Sequence, residues 1–148
     1  MVKDEIDCKI IELLQKNSRI SYADLGRQIN LSPSAVAERV QRMEDEKIIK
    51  KYFTVFNSKL IGFSISAYIT MSFKDNGYKL FLNHIKEFPE IIECSRITGK
   101  DCLIMKLVLK DSSHLEEIVD KLCFYGTPST SVVLSDVVSC GSMPVNFG

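Results

Sequence analysis

Apolar residues recur along this chain with a helical period up to about residue 50 and with a largely twofold period from residue 64 onward. In the segment DEIDCKIIELLQKN, Ile6, Ile10, Leu13 and Leu14 lie on one stripe, and Asp4 stands where a helix cap belongs. The next segment, Ser21 to Glu44, carries two helix-start signals. Ser21 followed by Asp24 resembles a capping box, and Ser32 followed by Pro33 joins a favoured N-cap to a residue suited to the first helical position. Asn30 between them tolerates the left-handed conformation that ends a helix, Leu31 can plug the corner, and Gly26 permits a close backbone approach. On the last of the three helices, Val36, Val40 and Met43 share one stripe, while Ala35, Arg39 and Arg42 share another.

A short helix, a tight turn and a second helix with one packing stripe and one arginine stripe describe a helix-turn-helix reader of double-stranded DNA. Small residues near the helix start could approach the groove floor, and arginines further along could reach guanine edges or phosphates. The expected DNA contacts are Ser32, Ser34, Ala35, Arg39 and Arg42, with Ser21 reaching a phosphate from the first helix's N-terminus. Glu38 has two readings: it accepts from a cytosine amine, or it pairs with Arg42 four residues along. The competing reading of the whole segment is a plain helical hairpin with solvated arginines. Downstream, Ile48 to Val55 is β-prone and carries Lys50 and Lys51, which suits a wing or a linker strand.

In the second half Ile65, Ala67, Ile69, Met71 and Phe73 alternate with polar partners, as in a strand with one buried face. Tyr78, Phe81, Ile85 and Phe88 then recur at helical spacing before Pro89. IIECSRIT and CLIMKLVLK read as a hairpin turning at Gly99-Lys100-Asp101. Ser113 with Glu116 suggests a cap for a helix through Leu115, Ile118, Val119 and Leu122, closed by Gly126, and SVVLSDVVS reads as the final strand. The expected fold is α+β: an N-terminal three-helix helix-turn-helix domain (residues 1–50), a linker strand (51–63) and a ferredoxin-like βαββαβ domain (64–148). Ile104 and Val108, with either Val132 or Val133, must point to the sheet face away from the helices. A second copy packed there would give a twofold dimer and pair two reading heads.

Composition adds four constraints. No apolar run approaches a membrane span and the N-terminus lacks a hydrophobic signal region, so a cytoplasmic protein without a membrane partner is expected. The five cysteines, Cys8, Cys94, Cys102, Cys123 and Cys140, show no metal spacing and are expected as buried free thiols, with no metal. The net charge is zero, with an excess of +2 over residues 1–60 and −2 beyond, so tight DNA binding requires several linked heads. His84 and His114, the only histidines, sit in no catalytic constellation, and an enzyme is not expected.

The block from Asp4 to Tyr52, the hairpin RITGKDCLIMKL and the closing TSVVLSD together resemble the Lrp/AsnC family of transcription regulators, and the likeness covers nearly the whole chain. The resemblance implies a nucleoid-associated regulator built from homodimers, often gathered into octamers, whose DNA binding responds to an amino acid; no other cofactor is implied. It implies an effector site lined by Thr98, Gly99, Lys100, Asp101 and Cys102, with Thr130 as a further candidate. Many members read G-x-x-D in this hairpin, whereas here Cys102 holds the acidic position and Asp101 comes one residue early. A cysteine cannot give an α-ammonium the charge-assisted bond that aspartate gives. That departure motivates an alternative, an architectural protein that wraps or bends DNA without a soluble effector.

Overall fold

A computed structural model describes residues 2–138 and 141–145. The chain divides into two compact units, one of residues 1–54 together with 138–148, the other of residues 55–137. The C-terminal segment expected to close the second domain is thus grouped with the first.

Three helices build the first unit: α1 (Glu5–Lys16), α2 (Tyr22–Ile29) and α3 (Pro33–Asp45). Each start is fixed by a side chain accepting an otherwise orphaned N–H: Asp4 from Asp7, Ser21 from Asp24, and Ser32 from Ala35. The box at Ser21 closes differently from expectation, because its hydroxyl donates to the Asp24 carboxylate at 2.6 Å. Asn30 ends α2 in the left-handed conformation with φ 56°. A Cβ on Gly26 would collide with the Leu31 carbonyl oxygen, so the glycine is required by the turn. The core is Ile10, Leu25, Val36, Val40 and Met43, all fully buried, with Ile6, Leu13, Leu14 and Leu31 packed around it. Each such aliphatic contributes about 1.5–3 kcal/mol.

Residues 48–55 form no strand. Ile48 and Ile49 donate to the Met43 carbonyl and pack on the helical core, and the chain then runs as coil to a 3-10 turn at Ser58–Ile61. A β-prone sequence needs a neighbouring strand, and the described residues provide none here.

The second unit has the expected order: β1 (Ile65–Ser72), α4 (Gly77–His84), β2 (Ile91–Arg96), β3 (Leu103–Leu109), α5 (Ser112–Cys123) and β4 (Thr127–Val132). The sheet is antiparallel in the order β2-β3-β1-β4. Its inner face gives Ala67, Ile69, Met71, Leu103, Met105, Leu107 and Leu109 to one core with Phe81, Phe88, Ile118 and Leu122. On the other face Ile104, Lys106 and Val108 stand beside Ser66, Tyr68 and Thr70, with the Lys106 ammonium 5.8 Å from the Tyr68 ring centroid. Val133 joins that face: its N–H donates to the Ser66 carbonyl, whereas Val132 pairs with inward-facing Ala67.

Four local expectations are corrected. The N-cap of α5 is Asp111, which accepts from the His114 N–H at 2.8 Å, so the helix starts ahead of Ser113. The C-cap of that helix is Phe124, and Gly126 follows it, its N–H donating to the Leu122 carbonyl at 3.3 Å; a Cβ there would collide with the Ser72 carbonyl oxygen, making it a close-approach glycine beside β1. The final strand is TPSTSV, displaced toward the N-terminus from SVVLSDVVS; Pro128 is tolerated because β4 is an edge, and the described residues from Leu134 to Val138 are exposed coil, Ser139 lying outside the described residues. The described cysteines are not fully buried: Cys94 and Cys123 are exposed, Cys8 and Cys102 half-buried, and Cys140 lies outside the described residues.

Candidate functional site

Helix α3 presents two different edges. Ser34, Glu38 and Gln41 are exposed along one line at i, i+4, i+7 spacing, and Ser32 is exposed at the N-cap ahead of them. The Ser32 and Ser34 hydroxyls lie 3.0 Å apart at the helix start, where free N–H groups and the helix dipole favour an anion. Ala35, also expected at the interface, is half-buried.

Arg39 and Arg42 do not face outward as the stripe suggested. Both fold back onto α1, where Arg39 Nη1 meets Asp4 Oδ2 at 2.7 Å and Asp7 Oδ1 at 2.8 Å, and Arg42 Nη2 bonds to Asp7 Oδ2. Asp7 is fully buried, and among the described residues its charge is held inside the unit by these guanidinium groups and the Lys3 N–H. The guanidinium of Arg39 holds the Asp4 carboxyl below its usual range, and Asp4 in return raises Arg39. The two arginines therefore brace α3 on α1. The mistake has a readable origin: helical spacing says which residues share a side, not what that side meets. A signal was available, because acids three apart on α1 match arginines three apart on α3.

The sequence reading also missed cations beside Ser21. Arg19, Arg27 and Gln28 line an open cleft of about 540 Å³ with Asn17, Ile20, Ser21 and Asp24, at the N-terminus of α2. Arg27 pairs with Asp24 across one helical turn, while the Arg19 side chain is exposed. Past α3, Lys50 and Lys51 are exposed. Tyr52 donates to Glu44 Oε1 at 2.9 Å, and burial together with that acid pushes its phenol up to about 12.

In the second unit Thr98, Gly99, Lys100, Asp101 and Cys102 form the loop of the β2–β3 hairpin, and Gly99 takes φ 116°. The Cys102 N–H donates to the Met71 carbonyl at 2.8 Å and its carbonyl accepts from Ile97 at 3.0 Å. Strand alternation is therefore imposed from Cys102 onward, and Asp101 precedes it. Asp101 is half-buried and makes no side-chain bond among the described residues. Thr130 is not beside this loop: it sits on β4 opposite Ile69, with β1 and β3 between it and β2. His84 bonds to Glu87, and His114 to Glu90 at 3.1 Å while its Nδ1 accepts from the Lys110 N–H. No group of three or more metal-ligating side chains occurs among the described residues, and no described helix is long and apolar enough to cross a membrane.

Comparison with known proteins covers both units. Residues 4–44 match the model of the AsnC-type helix-turn-helix domain, and residues 66–143 match that of the Lrp/AsnC ligand binding domain. The chain is 36% identical over 137 residues to the HTH-type transcriptional regulator LrpC of Bacillus subtilis, covering 93% of this chain and 95% of that one. It is 31% identical over 119 residues to the HTH-type transcriptional regulator FL11 of Pyrococcus furiosus, covering 80% and 79%. The solved structure of B. subtilis LrpC superposes with a TM-score of 0.88 at 35% identity, over 94% of this chain and 99% of that one. A transcriptional regulator from Neisseria meningitidis, solved as its L-Met complex, superposes with a TM-score of 0.89 at 25% identity, over 97% of each chain.

Proposed function

This chain belongs to the Lrp/AsnC family of helix-turn-helix transcriptional regulators, and from that premise we propose how its labour is divided: α3 reads the major groove from its N-terminal half while the β2–β3 hairpin receives an amino acid. The protein is a DNA-binding transcriptional regulator of the Lrp/AsnC type. The observation that carries the DNA assignment is the capped α2–turn–α3 unit, with Asn30 in the left-handed conformation, Ser32 exposed at the cap and Ser34 and Glu38 exposed along one line. Ser21, with Arg19, Lys50 and Lys51, contacts phosphates. Arg39 and Arg42 support the helix from behind, and Ala35 lies at its margin.

The effector is an amino acid, as in the L-Met complex of the Neisseria relative. Its α-ammonium bonds to Asp101, whose carboxylate is uncommitted among the described residues and lies ahead of the strand alternation, while Gly99 leaves room for ligand backbone and Thr98, Lys100 and Cys102 flank it. Thr130 contributes only from a second subunit. The half-buried face of Ile104, Val108 and Val133 supports pairing of subunits back to back, and dimers gather into a larger even-numbered assembly at the nucleoid.

Fluorescence anisotropy on a selected operator, with sedimentation in the presence and absence of each L-amino acid, tests both parts. One amino acid should change affinity or assembly size, and Asp101→Asn should abolish that response while basal DNA binding stays. Operator binding indifferent to every amino acid would leave an architectural DNA protein in place of a tuned regulator.

A further inference from the structure

Glu38 is the one ionised side chain on the outward line of α3 near its N-terminal half, flanked by Ser34 one turn back and Gln41 one turn on. A carboxylate carried toward DNA is repelled by phosphates and needs compensation. Within its own helix the natural partner is Arg42, four residues along, but Arg42 bonds to Asp7 and Arg39 is held by Asp4 and Asp7. Glu38 is exposed and makes no hydrogen bond or ion pair among the described residues. The partner that would have neutralised it has been taken by α1.

Resting on the DNA-reading assignment above, we propose that Glu38 is the specificity-determining residue of this regulator, accepting a hydrogen bond from the exocyclic amine of cytosine in a C·G pair. The major groove offers only two amine donors, cytosine N4 and adenine N6. Adenine sets N7, an acceptor, beside its amine, which suits a Gln or Asn side chain that donates as well as accepts. A carboxylate would face that N7 with a second lone pair. Cytosine presents its amine with no acceptor on the same base edge. Guanine and thymine present acceptors to the groove, so Glu38 selects partly by excluding the wrong pairs, as an unpaired acceptor does. With no free cation on the exposed line of Ser34, Glu38 and Gln41, nothing there draws the helix toward guanine instead.

The test is selection from randomised duplexes by the full-length protein, its Glu38→Gln and its Glu38→Ala variants, followed by anisotropy on the selected and scrambled sequences. The wild type should require C·G at one position of each half-site, with a preference on the order of 5- to 150-fold. Glu38→Gln should move that position to A·T and leave the others unchanged. Glu38→Ala should erase discrimination at that position alone and bind scrambled DNA more tightly, since a repelling charge is gone. Identical selected motifs for all three proteins would overturn the proposal while leaving the regulator intact. If the wild type selects no motif at all, the DNA-reading assignment falls and the proposal falls with it.

Discussion

Replacing Asp7 by Asn keeps the volume of the side chain and removes its charge, and the cost can be worked from its partners. Asp7 Oδ1 accepts from Arg39 at 2.8 Å, and Oδ2 accepts from Arg42 and from the Lys3 N–H at 3.1 Å. An asparagine oxygen can keep one oxygen's bonds, but its NH2 must then point at a guanidinium, donor against donor. A bond to a charged partner is worth about 1.5–3 kcal/mol, and removing one side of a buried ion pair costs about 3–5. The guanidinium side chains are 25% and 27% exposed and can partly rehydrate, which brings the cost to about 2–4 kcal/mol. A core as small as that of the first unit rarely supplies more than about 3–5 kcal/mol, so Asp7→Asn should leave the unit close to its unfolding midpoint. Urea titration of the full chain, followed by hydrogen exchange at α1 and α3 amides, measures this directly, and Arg39→Ala should show a comparable loss of stability. The bracing role is refuted if both variants keep wild-type stability within about 0.5 kcal/mol while Arg39→Ala abolishes operator binding, because the arginine would then be reading DNA.

Three shorter predictions follow from the same unit. Asp4 has a folded pKa depressed below 3.8 by Arg39, so its contribution is present above the unfolded value and is lost as pH falls through the folded one; Asp4→Asn should flatten the acid limb of a stability profile below about pH 4, and an unchanged limb would count against the Arg39 contact. Tyr52 is shifted the other way, from 10.0 to about 12, so the stability it lends is complete below pH 10 and disappears as pH rises through 12; Tyr52→Phe should remove a phenolate absorbance step near pH 12. Gly26→Ala should cost about 1–3 kcal/mol in thermal unfolding, because a methyl there must displace the Leu31 carbonyl and with it the turn between α2 and α3.

What was legible in the sequence was mostly local. Asp4, Ser21, Ser32 and Asn30 act within one turn of themselves, so their types announced the helix ends. Buried stripes such as Val36, Val40 and Met43, or Leu103, Met105 and Leu107, were readable because burial leaves a period. The edge strand Thr127–Val132 was not, since it is mostly exposed and carries little apolar signal, and the more apolar run after it drew the strand the wrong way. Only its pairing with β1 locates it. The hairpin candidates were placed together because they are consecutive, whereas Thr130 joined them by resemblance alone and stands with two strands between it and β2. The arginines were misplaced for the converse reason: their meaning lies on another helix, at sequence separations of 32 and 35.

That displacement of the arginines changes what the protein's electrostatics can do on DNA. The net charge is zero, and two of the cations that would have offset phosphates are committed to buried or half-buried acids. The exposed cations near the start of α2 and after α3 are Arg19, Lys47, Lys50 and Lys51, with Arg27 shared with Asp24; Arg19, Lys50 and Lys51 are the proposed phosphate contacts. Each phosphate neutralised contributes about −0.9 to the slope of log K against log salt, so one head should show a slope of about −3 and a pair about −5 to −6. Such a head is weak alone, and specific occupancy has to come from linked heads on one duplex, with effective concentration supplying what charge does not. Anisotropy titrations between 50 and 200 mM salt would read this slope. A value near −10 for a dimer would mean that Arg39 and Arg42 leave Asp4 and Asp7 when DNA arrives, and the ion cluster would then be a store of DNA-binding charge released on contact instead of a fixed brace.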